Sequence, residues 1–89
     1  MTTREVAVVN RLGMHARAAA RFVHTASQFR ARITVRRNDR TMDGKSILGI
    51  LLLAAAQGTR LTLAAEGDDE GAAIDALAAL IGSGFGEDA

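Results

Sequence analysis

The amino-acid sequence predicts an α+β fold, an open-faced β-sandwich in which a four-stranded antiparallel sheet is covered on one face by three helices. Two observations favour this class. Four short segments are β-branched or alternate polar and apolar residues, whereas three others repeat apolar residues at helical spacing. Because the strands are not apolar throughout, one sheet face should pack against helices and the other should meet water. The predicted order is β-α-β-β-α-β-α.

The first half of the chain is predicted to form three strands and one helix. The β-branched run Glu5–Val9 predicts the first strand, and the apolar spacing that follows predicts a helix from about Ala16 to Ser27. Alternation over Arg32–Arg36, a tight turn at residues 38–39 and a short strand near Arg40–Met42 predict a hairpin.

The second half is predicted to form two helices and one strand. The apolar stretch from Ile47 to Ala56 predicts a shorter helix, with Ser46 as its N-cap and Gly58 as its stop. Alternation over Leu61–Ala65 predicts the fourth strand, and the acidic run Asp68–Glu70 caps a third helix. The apolar face of that helix comprises Ile74, Leu77, Ala78 and Ile81. Glycines at 82 and 84 should end it, and the Gly-rich tail should fray.

Length and composition limit the possible functions. Eighty-nine residues suffice for one small core, so a single domain over residues 1–89 is expected, without a separate catalytic domain. The sequence has no apolar run long enough to span a bilayer and no signal-peptide pattern, which predicts a soluble, cytoplasmic protein. It contains no cysteine, which excludes disulfides and thiolate metal sites.

The net charge of +1 conceals two oppositely charged halves. Residues 1–45 carry ten Lys and Arg against three Asp and Glu, whereas residues 46–89 carry one against seven. Such a chain could steer an acidic partner onto its basic side. Scattered, solvated charge is the alternative interpretation.

His15 is the leading candidate for chemistry because it lies directly before the first predicted helix. The unpaired backbone N–H groups of Ala16 and Arg17 would point toward a phosphate on its ring. The positive end of the helix disfavours an imidazolium, and Arg17 adds forked donors for phosphate oxygens. The alternative is that His15 merely starts a helix and that Arg17 is a solvated charge.

A metal site is not expected at either histidine. His15 and His24 stand nine residues apart, and about 100° per residue places them on opposite faces of one helix. Neither has a cysteine or a spaced carboxylate cluster beside it, so no metal and no cofactor are predicted. His24 is expected to be exposed.

Ser46 has two interpretations. The run Gly44-Lys45-Ser46 resembles the end of a P-loop, but Asp39 occupies the position where that motif needs a glycine, so nucleotide binding is excluded. Ser46 is then either a plain N-cap or a regulatory phosphorylation site, since a phosphate is well tolerated at a helix start.

The second predicted helix is apolar on almost every side. One face comprises Ile47, Ile50, Leu51 and Ala54, while Leu48 and Leu52 point elsewhere. An amphipathic helix needs one apolar stripe for the core, so the surplus predicts an exposed patch of the kind that marks partner interfaces. Packing against the third helix is the alternative.

Two motifs together resemble those of the HPr phosphocarriers. Residues 13–17, Gly-Met-His-Ala-Arg, are similar to the phosphorylation site of that family, and residues 44–49, Gly-Lys-Ser-Ile-Leu-Gly, are similar to its serine site. The Ala-Glu-Gly-Asp-Asp run from Ala65 extends the resemblance over nearly the whole chain. Leu12-Gly13-Met14 and Ser83-Gly84-Phe85 also resemble the nitrogen-related branch, NPr.

The resemblance implies a transiently phosphorylated carrier and not an enzyme. Enzyme I, charged by phosphoenolpyruvate, would phosphorylate His15 on Nδ1, and the group would pass to an EIIA protein or domain. Arg17 would neutralise the phosphate, and the amides of Ala16 and Arg17 would hold it. The implied docking surface comprises Ala20, Arg21, His24, Ile47, Leu48 and Leu51. A monomer without membrane contact is expected, and an HPr kinase/phosphorylase would act on Ser46.

The chain departs from the family at Ala18, where proline is usual. Alanine should loosen the helix start by roughly 0.4–1 kcal/mol while adding an N–H, and we expect His15 to remain competent. Two rival functions remain. A regulatory HPr-like binding protein of a nitrogen-related or incomplete phosphotransferase system is one; a nucleic-acid binder is disfavoured because the strands carry no aromatic stacking residues.

Overall fold

The computed structural model describes residues 1–87, and the elements follow the predicted order. The strands are β1 (Thr2–Ala7), β2 (Arg32–Arg37), β3 (Arg40–Asp43) and β4 (Arg60–Glu66). The helices are α1 (Ala16–Ala26), α2 (Ile47–Leu52) and α3 (Glu70–Gly82), and a 3₁₀ turn at Gly84–Gly86, the C-terminal turn, follows them. No helix in this part of the chain is long and apolar enough to cross a membrane.

The four strands form one antiparallel sheet in the order β1-β4-β2-β3. At its centre, Ala64 of β4 pairs with Thr3 on one side and Thr34 on the other. The order places a strand of the acidic half between two strands of the basic half, so folding interleaves the opposite charges. The exposed pair Arg60–Glu5, at 2.6 Å, joins the two halves across β4 and β1.

Alternation along the strands produces the open-faced sandwich. On β2, Ile33 and Val35 are buried while Arg32, Thr34 and Arg36 lie on the other face. The inward residues of β2 and β4 meet a single core with the helices, whose largest buried contributors are Phe22, Ile50, Ile74, Leu77 and Ile81. Each such side chain contributes about 1.5–3 kcal/mol by burial. The predicted sandwich therefore buries the inward-facing apolar residues of the sheet and of the three helices in one core.

The first strand lies earlier than predicted. Glu5–Val9 was the expected span, but β1 ends at Ala7, and its pairing with β4 begins at Thr2. Val8 is buried outside the ladder, where its N–H donates to the Thr59 carbonyl at 2.9 Å. A β-branched run indicates burial, whereas the span of a strand is decided by its partner.

The second helix is shorter than predicted, and Gly58 is not its stop. α2 ends at Leu52, and Ala54 already adopts a positive φ of 50°. The Arg37 guanidinium donates to the carbonyls of Leu53 and Ala54, at 2.7 and 3.1 Å. Cations near a helix C-terminus satisfy its free carbonyls, so a side chain from β2 supplies the end that a glycine was expected to supply.

The Gly-rich tail is folded, and the prediction of fraying was wrong for residues 82–87. Phe85 in the C-terminal turn is 1% exposed and belongs to the core, although its φ of 59° lies in the left-handed region. The Arg21 guanidinium also donates to the Phe85 carbonyl. Burial of one aromatic ring outweighs the flexibility of the glycines around it.

Two carboxylates tie the start of α3 to the sheet. Asp69 was expected to cap α3, but its carboxylate accepts the N–H groups of Arg30 and Ala31, at 2.8 and 2.9 Å, just before β2. These bonds, led by that of Arg30, lower the pKa of Asp69. Glu70 accepts from the Thr2 hydroxyl at 2.5 Å. Acidic residues at a helix start thus hold neighbouring strands.

Asp69→Ala is expected to lower the melting temperature at neutral pH. The pKa of Asp69 is lower in the folded than in the unfolded chain, so its stabilisation is complete above the ordinary value of 3.8 and disappears as pH falls through the folded pKa. The difference in melting temperature between Asp69→Ala and the unmodified protein should therefore shrink below about pH 4. Asp68→Ala, which removes the neighbouring exposed carboxylate, is the control; a pH-independent difference for Asp69→Ala would contradict this assignment.

Candidate functional site

His15 occupies the N-cap position of α1, as predicted. Its backbone is extended, with φ −72° and ψ 178°, and its carbonyl accepts the first helical bond, from Ala19 N at 2.8 Å. The N–H groups of Ala16, Arg17 and Ala18 precede that bond, so the helix itself offers them no carbonyl. They form the donor-rich, positive end of α1 beside the imidazole.

The loop that carries His15 is pinned against the chain leaving α2. Gly13 has a φ of +67°, and a Cβ there would lie 2.5 Å from the Ala55 carbonyl oxygen. The next residue, Met14, is buried and donates its N–H to that same carbonyl at 2.8 Å. Only glycine permits this approach, so Gly13 fixes where the helix start and His15 lie.

Asn10 closes the loop from inside. Its side chain is 4% exposed, and Nδ2 donates to the Gly13 carbonyl and to Glu87 Oε1, both at 2.8 Å. Within residues 1–87, the buried Oδ1 of Asn10 has no hydrogen-bond partner. A buried polar group with an incomplete set of partners is uncommon and calls for a reason.

Glu87 brings the end of the described chain onto the histidine. Its Oε2 is hydrogen-bonded to His15 Nε2, and the two side chains are only 16% and 27% exposed. The hydrogen bond from Asn10, followed by that from His15, lowers the pKa of Glu87. The carboxylate is therefore ionised at neutral pH.

Neither Asn10 nor Glu87 was predicted from the sequence to belong to the site. Asn10 directly follows the β-branched run Glu5–Val9, a position that indicates the end of a strand and gives no sign of a site. Glu87 follows the C-terminal turn, which was expected to fray, so its position on His15 depends on the burial of Phe85. No local pattern marks a contact between residues 72 positions apart.

The remaining residues of the predicted site lie on the exposed faces of two adjoining helices. Arg17 is exposed in the first turn of α1. His24 is exposed, and nine residues at 1.5 Å per residue place it about 13 Å along the helix from His15. Across residues 1–87, no three His, Asp or Glu side chains lie close enough to hold a metal ion. The predicted docking residues on α1, Ala20 and Arg21, are exposed as well.

An apolar patch is exposed on α2, as the surplus of apolar residues predicted. Ile47, Leu48 and Leu52, the apolar patch, are 45%, 67% and 49% exposed, whereas Ile50 is buried and Leu51 is half-buried. Ile47 and Ile50, which helical spacing places on one face, thus differ in burial, and Ala54, assigned to the same face, lies beyond the end of α2 and is exposed. Leu12, in the His15 loop, is a further exposed apolar residue at 67%.

Ser46 caps α2. Its hydroxyl oxygen accepts from the Gly49 N–H at 3.0 Å, and its side chain is half-buried. The interpretation as an N-cap is confirmed, and the cap lies directly before the apolar patch.

Comparisons with known proteins agree with this fold. The family model described as the PTS HPr component phosphorylation site matches residues 2–83. The phosphocarrier protein HPr of Neisseria meningitidis serogroup A is 46% identical over 87 residues, 98% of each chain. The phosphocarrier protein NPr of Shewanella violacea is 40% identical over 84 residues, 94% of this chain and 92% of the relative.

A solved structure confirms the predicted fold class. The crystal structure of HPr-C-His from Thermoanaerobacter tengcongensis matches with a TM-score of 0.96 at 46% identity, and each chain is covered to 100%. Because the family model and the relatives span almost the full sequence, the chain belongs to the HPr family of phosphocarrier proteins.

Gly13→Ala is expected to destabilise the protein more than Gly58→Ala. Both glycines have a positive φ, so an alanine at either costs about 1–2 kcal/mol in the free energy of unfolding. At Gly58 a Cβ meets nothing within 4 Å, whereas at Gly13 it meets backbone, and the clash should add about 1–3 kcal/mol. Urea unfolding of the two variants measures the difference. Equal losses would show that the loop is not pinned against Ala55.

Proposed function

We propose that this chain accepts a phosphoryl group from phospho-Enzyme I on Nδ1 of His15 and donates it to an EIIA protein or domain of the phosphoenolpyruvate-dependent phosphotransferase system. The observation that carries this proposal is the half-buried His15 at the N-cap of α1, with Arg17 in the first turn. The protein is then a transiently phosphorylated intermediate and not an enzyme. It acts as one domain, over residues 1–89, in the cytoplasm.

The chemistry asks little of the carrier beyond placement. The lone pair on Nδ1 attacks the phosphorus as the bond to the donor breaks, and the three phosphoryl oxygens take up the charge. Amides of Ala16 and Arg17 and the Arg17 guanidinium supply donors for those oxygens. A rigid loop keeps the imidazole aligned for in-line attack, and such alignment is worth a large part of the barrier.

The docking surface that we propose joins α1 to α2, which pack against each other. Ala20, Arg21 and His24 lie on its exposed α1 side, where Arg21 and His24 are polar, and Ile47, Leu48 and Leu51 provide its apolar centre. Apolar patches rimmed by charge are typical of partner interfaces. Arg17 and Arg21 would favour acidic surfaces on both partners.

His15→Ala should abolish labelling of the protein by Enzyme I and radiolabelled phosphoenolpyruvate, because it removes the nucleophile. The unmodified protein should acquire an acid-labile label, and Glu66→Ala, which removes an exposed carboxylate at the end of β4, should acquire it equally. Label that survives His15→Ala would refute the proposal.

Ala18→Pro should change the rate of labelling by Enzyme I only modestly, measured in the same assay. A hundredfold gain in that rate would instead show that Ala18 impairs the carrier.

Ser46 offers a means of regulation. A serine kinase of the HPr kinase/phosphorylase type would place about −2 charge beside Ile47 and Leu48, where a partner must exclude water. The half-buried hydroxyl would have to leave the Gly49 amide or keep that bond through a phosphate oxygen, which the helix start tolerates. Phosphorylation would therefore obstruct docking without unfolding α2.

Ser46→Asp is expected to slow phosphoryl transfer from Enzyme I by on the order of tenfold. The added negative charge has the same sign as the acidic partner surface that docks there, so it repels the partner. Ser46→Asn is the matched control: its side chain caps a helix as well as Asp does but carries no charge. Transfer rates measured at low salt should separate the two variants, and equal rates would remove the regulatory proposal.

A second function is favoured by the resemblance to the nitrogen-related branch. Leu12-Gly13-Met14, Ser83-Gly84-Phe85 and the NPr relative point to the nitrogen-related branch, in which the chain would bind regulatory partners with little role in sugar uptake. Rates of transfer to EIIA proteins of the sugar and nitrogen branches would distinguish the two functions.

A further inference from the structure

We propose that Glu87 is a positioning residue for His15: its carboxylate, held by Asn10, engages Nε2 of the imidazole so that Nδ1 alone is presented to a phosphoryl donor. This inference rests on the proposed function for its purpose but not for its geometry. It assigns a role to two residues that lie outside the signature around His15.

The hydrogen bond to Glu87 determines which ring nitrogen carries the proton. An ionised carboxylate only accepts hydrogen bonds, so Nε2 must be the donor in the contact with Glu87 Oε2. A neutral imidazole has one N–H, which leaves the lone pair on Nδ1. Depression of the Glu87 pKa keeps the carboxylate in its accepting form at neutral pH. The charged or polar groups that face Glu87 are Asn10, His15 and Arg21.

Asn10 holds the carboxylate in place, and its own orientation is determined by its partners. The Gly13 carbonyl and Glu87 Oε1 are both acceptors, so the group between them must be the NH₂ of the amide. A flipped Asn10 would place its oxygen against both of them. Within the described residues, this orientation leaves the buried Oδ1 without a hydrogen-bond partner, which costs free energy. That cost is consistent with a side chain selected to hold Glu87.

The position of Glu87 is fixed by the packing of the C-terminal turn that precedes it. Phe85, two residues earlier, is buried in the core, and Arg21 of α1 donates to its carbonyl. The carboxylate therefore arrives on a packed segment, and it covers Nε2 where the imidazole is only 27% exposed. A phosphoryl donor in solution meets the other nitrogen.

Phosphorylation increases the need for Glu87. When the Nδ1 lone pair forms the N–P bond and the donor's bond to phosphorus breaks, the ring retains its proton on Nε2 and gains a positive charge. The carboxylate of Glu87 already faces that N–H, so its negative charge offsets the charge that develops. No proton has to move between residues during the transfer.

Phosphoramidate, a small donor that needs no enzyme, tests the regiochemistry. The imidazole lone pair attacks its phosphorus, the P–N bond breaks, and ammonia leaves. We expect His15 of the full chain to be phosphorylated on Nδ1, whereas the exposed His24 reports the preference of an unguarded histidine. Two-dimensional ¹H–¹⁵N and ³¹P spectra distinguish the Nδ1 and Nε2 products at each histidine.

Glu87→Ala should lower the ratio of Nδ1 to Nε2 product at His15 by about tenfold or more, the equivalent of one charge-assisted hydrogen bond. Glu66→Ala, which removes an exposed carboxylate at the end of β4, should leave the ratio unchanged. Unchanged selectivity in Glu87→Ala, or an Nε2 product on His15 of the unmodified chain, would overturn the proposal.

A second measurement needs no variant. The ¹⁵N shifts of His15 in the unmodified protein at a pH where the ring is neutral should show the proton on Nε2, with a population above that of His24. A proton on Nδ1 would overturn the inference. Failure of Enzyme I to label His15 would refute the proposed function while leaving both of these results interpretable.

Discussion

The close approach of Gly13 to the Ala55 carbonyl is the constraint on which the rest of the site depends. A backbone without a Cβ passes within contact of the chain leaving α2, and Met14 then donates its N–H to the same carbonyl at 2.8 Å. His15 follows at once, so the start of α1 and the end of α2 are located relative to each other by one oxygen atom. His15 and the apolar patch therefore belong to one rigid surface.

Much of the fold could be predicted because periodicity records burial. The alternation of β2 and β4 and the helical spacing of α1 identified the two layers, since each apolar stripe has one place to go. Element ends were less accessible to prediction. The end of α2 depends on Arg37, a side chain from another element, and the span of β1 depends on its ladder with β4. Neither cause lies within the segment whose end it determines.

The predicted site shows the same division. His15, Arg17 and Ser46 stand in local motifs, and the structure places the first and last of them at the helix starts where the motifs indicated. Asn10 and Glu87 meet through a contact 77 residues apart in the chain. That contact exists because Phe85 packs into the core despite a Gly-rich neighbourhood, a balance between burial and backbone freedom that composition alone misjudged.

The apolar patch is exposed because the core beneath α2 is already filled. Ile50 and Leu53 already fill the space beneath α2, so burying Ile47, Leu48 or Leu52 would require a second layer that a small chain does not have. Their exposure is consequently a stable property of the folded chain, maintained at a cost in solubility. The exposed apolar side chains of α2 therefore lie on the same surface as the imidazole of His15, and burying them requires contact with another molecule.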